Sequence, residues 1–325
     1  MINLETQYAG LTLRNPIIIG SSGLTSSPDR NKEYEKAGAG AIVLKSLFEE
    51  QIEMQSASLM NESYYPEAAD YIREYVKTSQ VNDYLELIKK TKAACNIPVI
   101  ASVNCYKADA WTDFARQMEL AGADALELNV FYMDTDLTHD YDVTRAMYIN
   151  IIRRVKETVQ IPVIMKIGKF FGSIPALVHI LKVNGADGVV LFNRYYRPDI
   201  DINTMQLVSG NVFSSHSDLG DTLRWTAIVS GKIPGISIAS STGIHEWEDV
   251  IKCLLAGASA VQMCSAVYNC GAEIITQVLT CVEEWMNHTK YESIAEFRGK
   301  LSYASSKNPG MYERAQFMKY FSNRD

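Results

Sequence analysis

No stretch of this chain reaches the ~18 consecutive apolar residues that a membrane-crossing helix needs. Its first ten residues, MINLETQYAG, carry neither the charged segment nor the apolar segment of an export signal. A basic surplus is also missing. The 31 Lys and Arg stand against 38 Asp and Glu, a formal charge of -7, which argues against a nucleic-acid partner because little charge is left to neutralise phosphates. The six cysteines form no CxxC pair and no zinc spacing, so reduced thiols and a cytoplasmic location are expected. The five histidines show no ligand spacing, and no metal site is expected. A strong GxGxxG turn is absent, which weakens the case for an open dinucleotide-binding sheet.

What is present is an alternating repeat within a 325-residue chain of ordinary globular composition, 47% hydrophobic and 21% charged. Four apolar runs follow a small-Gly-Ala turn: AGAGAIVLK (Ala37–Lys45), AGADALELN (Ala121–Asn129), NGADGVVLFN (Asn184–Asn193) and AGASAVQMC (Ala256–Cys264). Four others carry Pro near their start: NPIIIG (Asn15–Gly20), IPVIAS (Ile97–Ser102), IPVIMK (Ile161–Lys166) and IPGISIAS (Ile233–Ser240). The two kinds alternate without exception. Gly suits the left-handed residue that ends a helix, and Pro is tolerated where a strand begins. Runs this short and apolar fit strands buried on both faces, and helical patterns such as Trp111–Leu120 and Leu177–Val183 lie between them. Eight such units predict an α/β fold, a (β/α)8 TIM barrel formed by residues 1–325 as one domain. A short hairpin around Tyr8-Ala9-Gly10 is expected to plug its bottom.

Three connections exceed what the barrel needs: the insertions near 47–81, 130–143 and 194–219 after strands 2, 4 and 6. A helical tail, 286–325, is expected to pack on the barrel or on a partner. Extended loops at the carboxyl ends of barrel strands are where sites are built, so the first and last of these are candidate lids.

The strand ends themselves carry Ser21-Ser22-Gly23, Lys45-Ser46, Ser102 with Asn104, Asn129, Lys166, Asn193, Thr242-Gly243 and Cys264-Ser265. No Asp, Glu or His occupies the first position of any of them, as a metal hydrolase would require. The stretch Gly235–Gly271 contains two strand ends that each open a helix. Their free N–H groups and positive dipole ends make an anion site, and phosphate is its commonest guest. Two lysines and several amides over such a site suit a planar phosphorylated cofactor such as a flavin, whose anionic reduced ring a lysine stabilises. They also suit a flavin-free lyase or aldolase that forms a Schiff base through Lys45 or Lys166.

The order and spacing of YAGLTLRNPIIIGSSG, IVLKS, LELN, VIMKIG, VVLFN, STGIHEWEDVIKCLLAGASAVQMCSA and YESIAEFRGKLS resemble the dihydroorotate dehydrogenase family, in its soluble class 1 branch. The resemblance covers most of the chain. It implies an FMN-containing barrel that oxidises dihydroorotate to orotate in pyrimidine synthesis. On this reading Ser21, Ser22 and Gly23 line the flavin, Lys45 and Lys166 bond it, and Ser46 and Asn104 stand near. Asn129 and Asn193 are shared between flavin and substrate, while Thr242-Gly243 and Cys264-Ser265 hold the phosphate. Homodimers are the family's habit, and with no iron–sulfur cysteine cluster here, a partner subunit can carry the electron acceptor.

One departure touches the chemistry. The family has Cys or Ser as base after the strand-4 Asn; this chain reads Asn129-Val130-Phe131-Tyr132-Met133-Asp134, which puts Tyr132 at that position. A phenol titrates near ~10 and needs a cation to act as a base, for which Lys45 is the candidate; Asp134 and His139 are alternatives from the same loop. Another cyclic substrate, or a flavoprotein that has lost catalysis, are the readings this departure opens.

Overall fold

The computed structural model describes residues 2–62, 69–104, 108–130, 133, 135–138 and 141–315. Two short strands come first, β1 (Thr6–Tyr8) and β2 (Leu11–Leu13), paired antiparallel. The barrel strands are β3 (Ile17–Ile19), β4 (Ala41–Val43), β6 (Val99–Asn104), β7 (Ala125–Val130), β8 (Val163–Ile167), β9 (Gly188–Leu191), β12 (Ser237–Ser241) and β13 (Ala260–Met263). All pair in parallel with their neighbours, and β4 pairs with both β3 and β6, which closes the ring. These are the eight apolar runs of the sequence. The expected TIM barrel is the fold.

The local signatures work as their chemistry requires. The glycine of each small-Gly-Ala turn, Gly38, Gly122, Gly185 and Gly257, has φ between 97 and 113, the left-handed region that stops a helix and turns the chain into its strand. The strand-opening prolines lack a donor but serve as acceptors: Pro16 O takes Val261 N–H at 2.8 Å, and Pro162 O takes Leu126 N–H at 2.9 Å.

The hairpin seals the barrel from below. Tyr8, Ala9 and Leu13 join Ile18, Val43, Ile100, Ile164 and Val190 in a cluster filling the interior. The larger core lies outside the strands, beneath the helices α1 (Pro28–Ala37), α4 (Ala108–Leu120), α5 (Tyr141–Thr158), α6 (Ile174–Val183), α7 (Leu219–Lys232) and α8 (Trp247–Ala256).

The insertion at 47–81 is mostly helical. A two-residue strand, β5 (Leu47–Phe48), leads into α2 (Glu49–Glu62), and α3 (Ala69–Ala94) returns to the barrel. Buried Ile52 and Ser56 on α2, and Val76, Tyr84 and Ile88 on α3, give these helices a packed face that their Tyr- and acid-rich composition hides. The insertion at 194–219 contains the hairpin β10 (Pro198–Asp201) and β11 (Gln206–Ser209), a two-stranded sheet of its own. After β13 come α9 (Ser265–Cys270) and α10 (Glu273–Thr289), then short turns of helix at Ile294–Phe297 and Gly310–Glu313. The part of the insertion at 130–143 that holds Tyr132, Asp134 and His139 lies outside the described residues, as does the end of the tail. No described helix is long and apolar enough to cross a membrane.

Candidate functional site

The carboxyl ends of β12 and β13 form one side of a cavity of about 470 Å³. β12 ends at Ser241, and the chain reverses through Thr242 and Gly243 with φ of 80 and 88. A threonine in the left-handed region is held against its preference. Its hydroxyl donates to Phe192 O at 3.0 Å, which anchors the turn. Gly243 has no substitute here, because a Cβ would stand 2.3 Å from Leu219 N. On the neighbouring strand end, the Ser265 hydroxyl accepts from Ser214 N–H at 3.0 Å and lies 3.1 Å from Ser214 Oγ, which is itself 3.1 Å from His245 Nε2.

Ser214 belongs to a strap from the 194–219 insertion, and Arg194 ties that strap down. Its guanidinium donates to Asn211 O at 2.9 Å, Val212 O at 2.9 Å and Phe213 O at 2.7 Å, and it pairs with Asp218 at 2.9 Å. Lys166 and Arg194 line the cavity and no carboxylate does, among its described lining residues. Such a cavity favours an anion.

Beneath it the barrel interior is polar. Lys166 Nζ sits 3.3 Å from Glu127 Oε1 and donates to Gln262 Oε1 at 3.0 Å, while Gln262 Nε2 donates to Glu127 Oε2 at 2.5 Å. Glu127 is fully buried, so its charge is tolerable only because Lys166 answers it. Cys264 stands beside this group. Burial pushes its thiol above the ordinary value, with the Ser22 hydroxyl and Lys166 pulling the other way, so it is a neutral thiol and not a nucleophile in waiting.

Across the barrel, hydroxyls form a chain: Ser21 Oγ to Ser46 Oγ at 3.0 Å, then Ser46 Oγ to Ser102 Oγ at 2.7 Å, with Tyr84 bonded to the Ser102 backbone. The amides form another. Asn104 Nδ2 donates to Asn129 O at 2.9 Å, and Asn193 Nδ2 bonds Asn129 Oδ1.

The expected residues thus fall into groups. Ser21, Ser22, Lys166, Asn193, Thr242, Gly243, Cys264 and Ser265 line the cavity directly. Ser46 and Asn129 join it one hydrogen bond away and Asn104 two, through Asn129, and Gly23 faces Tyr268 on its rim, with a Cβ there reaching 2.8 Å from that phenol oxygen. Lys45 is exposed and lines a separate cavity of about 250 Å³ with Ser46, Phe48 and Tyr84. Tyr132 lies outside the described residues.

Several contributors escaped the strand-end reading. Glu127 and Gln262 each sit two residues before a residue that did stand out, Asn129 and Cys264, inside runs of apolar neighbours. A charged residue within LELN, two positions from Asn129 and therefore on the same strand face, was the available signal. Ser214 and Arg194 lie in the 194–219 insertion expected as a candidate lid, but no motif singled out either residue. Nor did spacing foretell that His216, Glu246 and Asp249 meet with ligand atoms within 4.8 Å. There Asp249 caps α8 by accepting the His245 and Glu246 N–H groups at 3.0 and 3.3 Å, and His216 Nδ1 joins it at 3.1 Å.

Fold and cavity define a parallel (β/α)8 barrel with an anion-accepting site over its last two strands, the architecture that holds phosphorylated ligands. The dihydroorotate dehydrogenase family model matches residues 3–286, and the chain belongs to that family, one of oxidoreductases. It is similar to the dihydroorotate dehydrogenase B (NAD(+)) catalytic subunits of Thermoplasma acidophilum, at 27% identity over 92% of this chain and 99% of that one, and of Thermoplasma volcanium, at 28% over 92% and 98%. The subunit of the same name from Pyrococcus furiosus is 26% identical over 92% of this chain and 98% of its own.

Proposed function

We propose that this protein is an FMN-dependent oxidoreductase that converts dihydroorotate to orotate. The observation that carries the cofactor is the 470 Å³ cavity with two cations, no lining carboxylate, and a glycine whose Cβ would strike backbone. A phosphate fits against Thr242-Gly243 and Cys264-Ser265, where backbone N–H groups are the natural donors. Ser21, Ser22 and Lys166 line the remainder, with Asn129 and Asn193 beyond. When bound, FMN supplies the acceptor for a hydride from the substrate C–H.

The chain's own groups do the rest. Lys166, steadied by Glu127 and Gln262, presents a fixed positive charge toward the cavity, suited to negative charge that develops there. The Asn129–Asn193 pair orients a ring bearing both donors and acceptors. Tyr132 is assigned the removal of the adjacent proton on the strength of its position in the sequence; Lys45, exposed in the separate cavity of about 250 Å³, is assigned no step. Lys166 is already engaged by Glu127 and Gln262, which counts against the Schiff-base alternative at that lysine.

The relatives are named catalytic subunits, which supports a separate subunit that takes the electrons; the homodimer rests on the family resemblance alone. The described cysteines are all unpaired, which supports operation in the cytoplasm.

Purified protein should be yellow and release FMN on denaturation. Mixed with dihydroorotate without oxygen, it should bleach. A protein that takes up no FMN overturns the cofactor; a yellow protein that never bleaches at high dihydroorotate overturns the substrate and leaves the cofactor standing.

A further inference from the structure

Beside the first cavity lies a second of about 420 Å³, which shares Phe192, Asn193, Arg194 and Thr242 with it. One wall comes from the loop after β8, the other from the loop after β9. Phe170 and Tyr196 line it while remaining 63% and 66% exposed. Large aromatic rings left in solvent at the mouth of a cavity are surface that a flat ligand covers.

The walls are built rather than incidental. Tyr195 packs so tightly over Gly168 that a Cβ there would stand 2.1 Å from its hydroxyl, and its ring meets Phe170 edge-on with centroids 4.6 Å apart. Arg194, spent on three carbonyls and Asp218, is a rigid strut between the two cavities.

The charge also points one way. Three cations, Lys169, Arg194 and Arg197, and two carboxylates, Asp218 and Asp221, line the second cavity, a surplus of one positive charge on a chain whose net charge is -7. Lys169 bonds Asp221 at 2.7 Å and Arg197 pairs with Asp218, yet an ammonium has three donors and a guanidinium five. Both keep donors to offer an acid group. A single pyrimidine ring would fill only part of the volume, and the aromatic surfaces extend well past one ring.

We infer that this second cavity is a ligand chamber for an extended aromatic anion, stacked on Tyr196 and Phe170 and held through its acid group by Lys169 and Arg197. The inference goes beyond the flavin reading and does not depend on it. The chamber's place next to Asn193 puts its occupant alongside whatever fills the first cavity.

Anthraquinone-2-sulfonate is the probe, titrated by calorimetry into both flavin-free and FMN-loaded protein. It should bind in both forms. Tyr196→Ala should weaken it about tenfold, the loss of one good ring contact, while Tyr196→Phe keeps it. Lys169→Ala should weaken it several-fold, and the uncharged 2-(hydroxymethyl)anthraquinone should bind the parent protein with a similar deficit. Tyr196 is largely exposed and Lys169 a third exposed, so the variants should keep the parent melting temperature. Failure of the parent to bind the probe overturns the chamber. So does binding that ignores both alanine variants, or binding that FMN abolishes. Absence of FMN uptake with probe binding intact would instead sink the flavin reading alone.

Discussion

The two halves of the barrel mouth are built on different principles. The half over β12 and β13 rests on backbone: a reversing turn, a glycine that admits no side chain, and serines tied to a strap. Backbone N–H groups survive a change of side chain, so this half tolerates substitution at positions such as Thr242. The half over β4, β6 and β7 rests on side-chain identity: the serine chain and the amides of Asn104, Asn129 and Asn193. A change there changes the chemistry. On the proposed function, cofactor binding and reaction should therefore be separable by mutation.

The sharpest test of that division lies where the halves meet, at the buried group beneath the cavity. Glu127→Ala leaves Lys166 facing the barrel interior without its counter-charge, and should cost about 3–5 kcal/mol in urea unfolding. A cost below about 1 kcal/mol would show that the pair is not structural.

Next in size is the side-chain half. Tyr132→Phe should slow anaerobic flavin reduction by dihydroorotate about 100-fold while FMN stays bound, the usual contribution of a proton-transfer group. An unchanged rate removes Tyr132 from the mechanism. Lys166→Ala should do the opposite, weakening FMN about tenfold through loss of a charge-assisted contact; an unaltered FMN dissociation constant would sink its assigned role.

The smallest effect belongs to the strap. Burial, reinforced by His216 and opposed by Asp249, holds His245 below its ordinary value of 6.5. The folded protein then binds fewer protons at this site than the unfolded chain does. Stability is fully present above pH 6.5 and falls as the pH drops below it. His245→Asn should flatten that decline below pH 6.5 in urea midpoints, and an identical slope in the variant would assign the decline to other groups.

Much of this was legible because the signals are local. The helix-ending glycines and strand-opening prolines are decided by the φ of one residue, so the eight units and their order could be read directly. Strand-end positions could be read too, since a strand's last residues face the barrel mouth whatever surrounds them. The helical nature of 49–62 was hidden, because Ile52 and Ser56 on its packed face sit among acids, amides and serines, with Met54 exposed. Lys45 was expected in the same ring as Lys166. Its side chain lies instead in a separate, exposed cavity under α2 and α3, a consequence of an insertion whose path composition does not reveal.

By itself the sequence determined the barrel, its bottom plug and the residues at its strand ends, since each depends on periodicity and on the backbone preferences of single residues. Tertiary structure alone decided that Glu127 answers Lys166, that Arg194 straps residues 211–213 over the cavity, and that a second, aromatic and cationic chamber opens beside the first. These are meetings between residues far apart in the chain, whose partners are set by how the insertions fold back, and no local pattern encodes them.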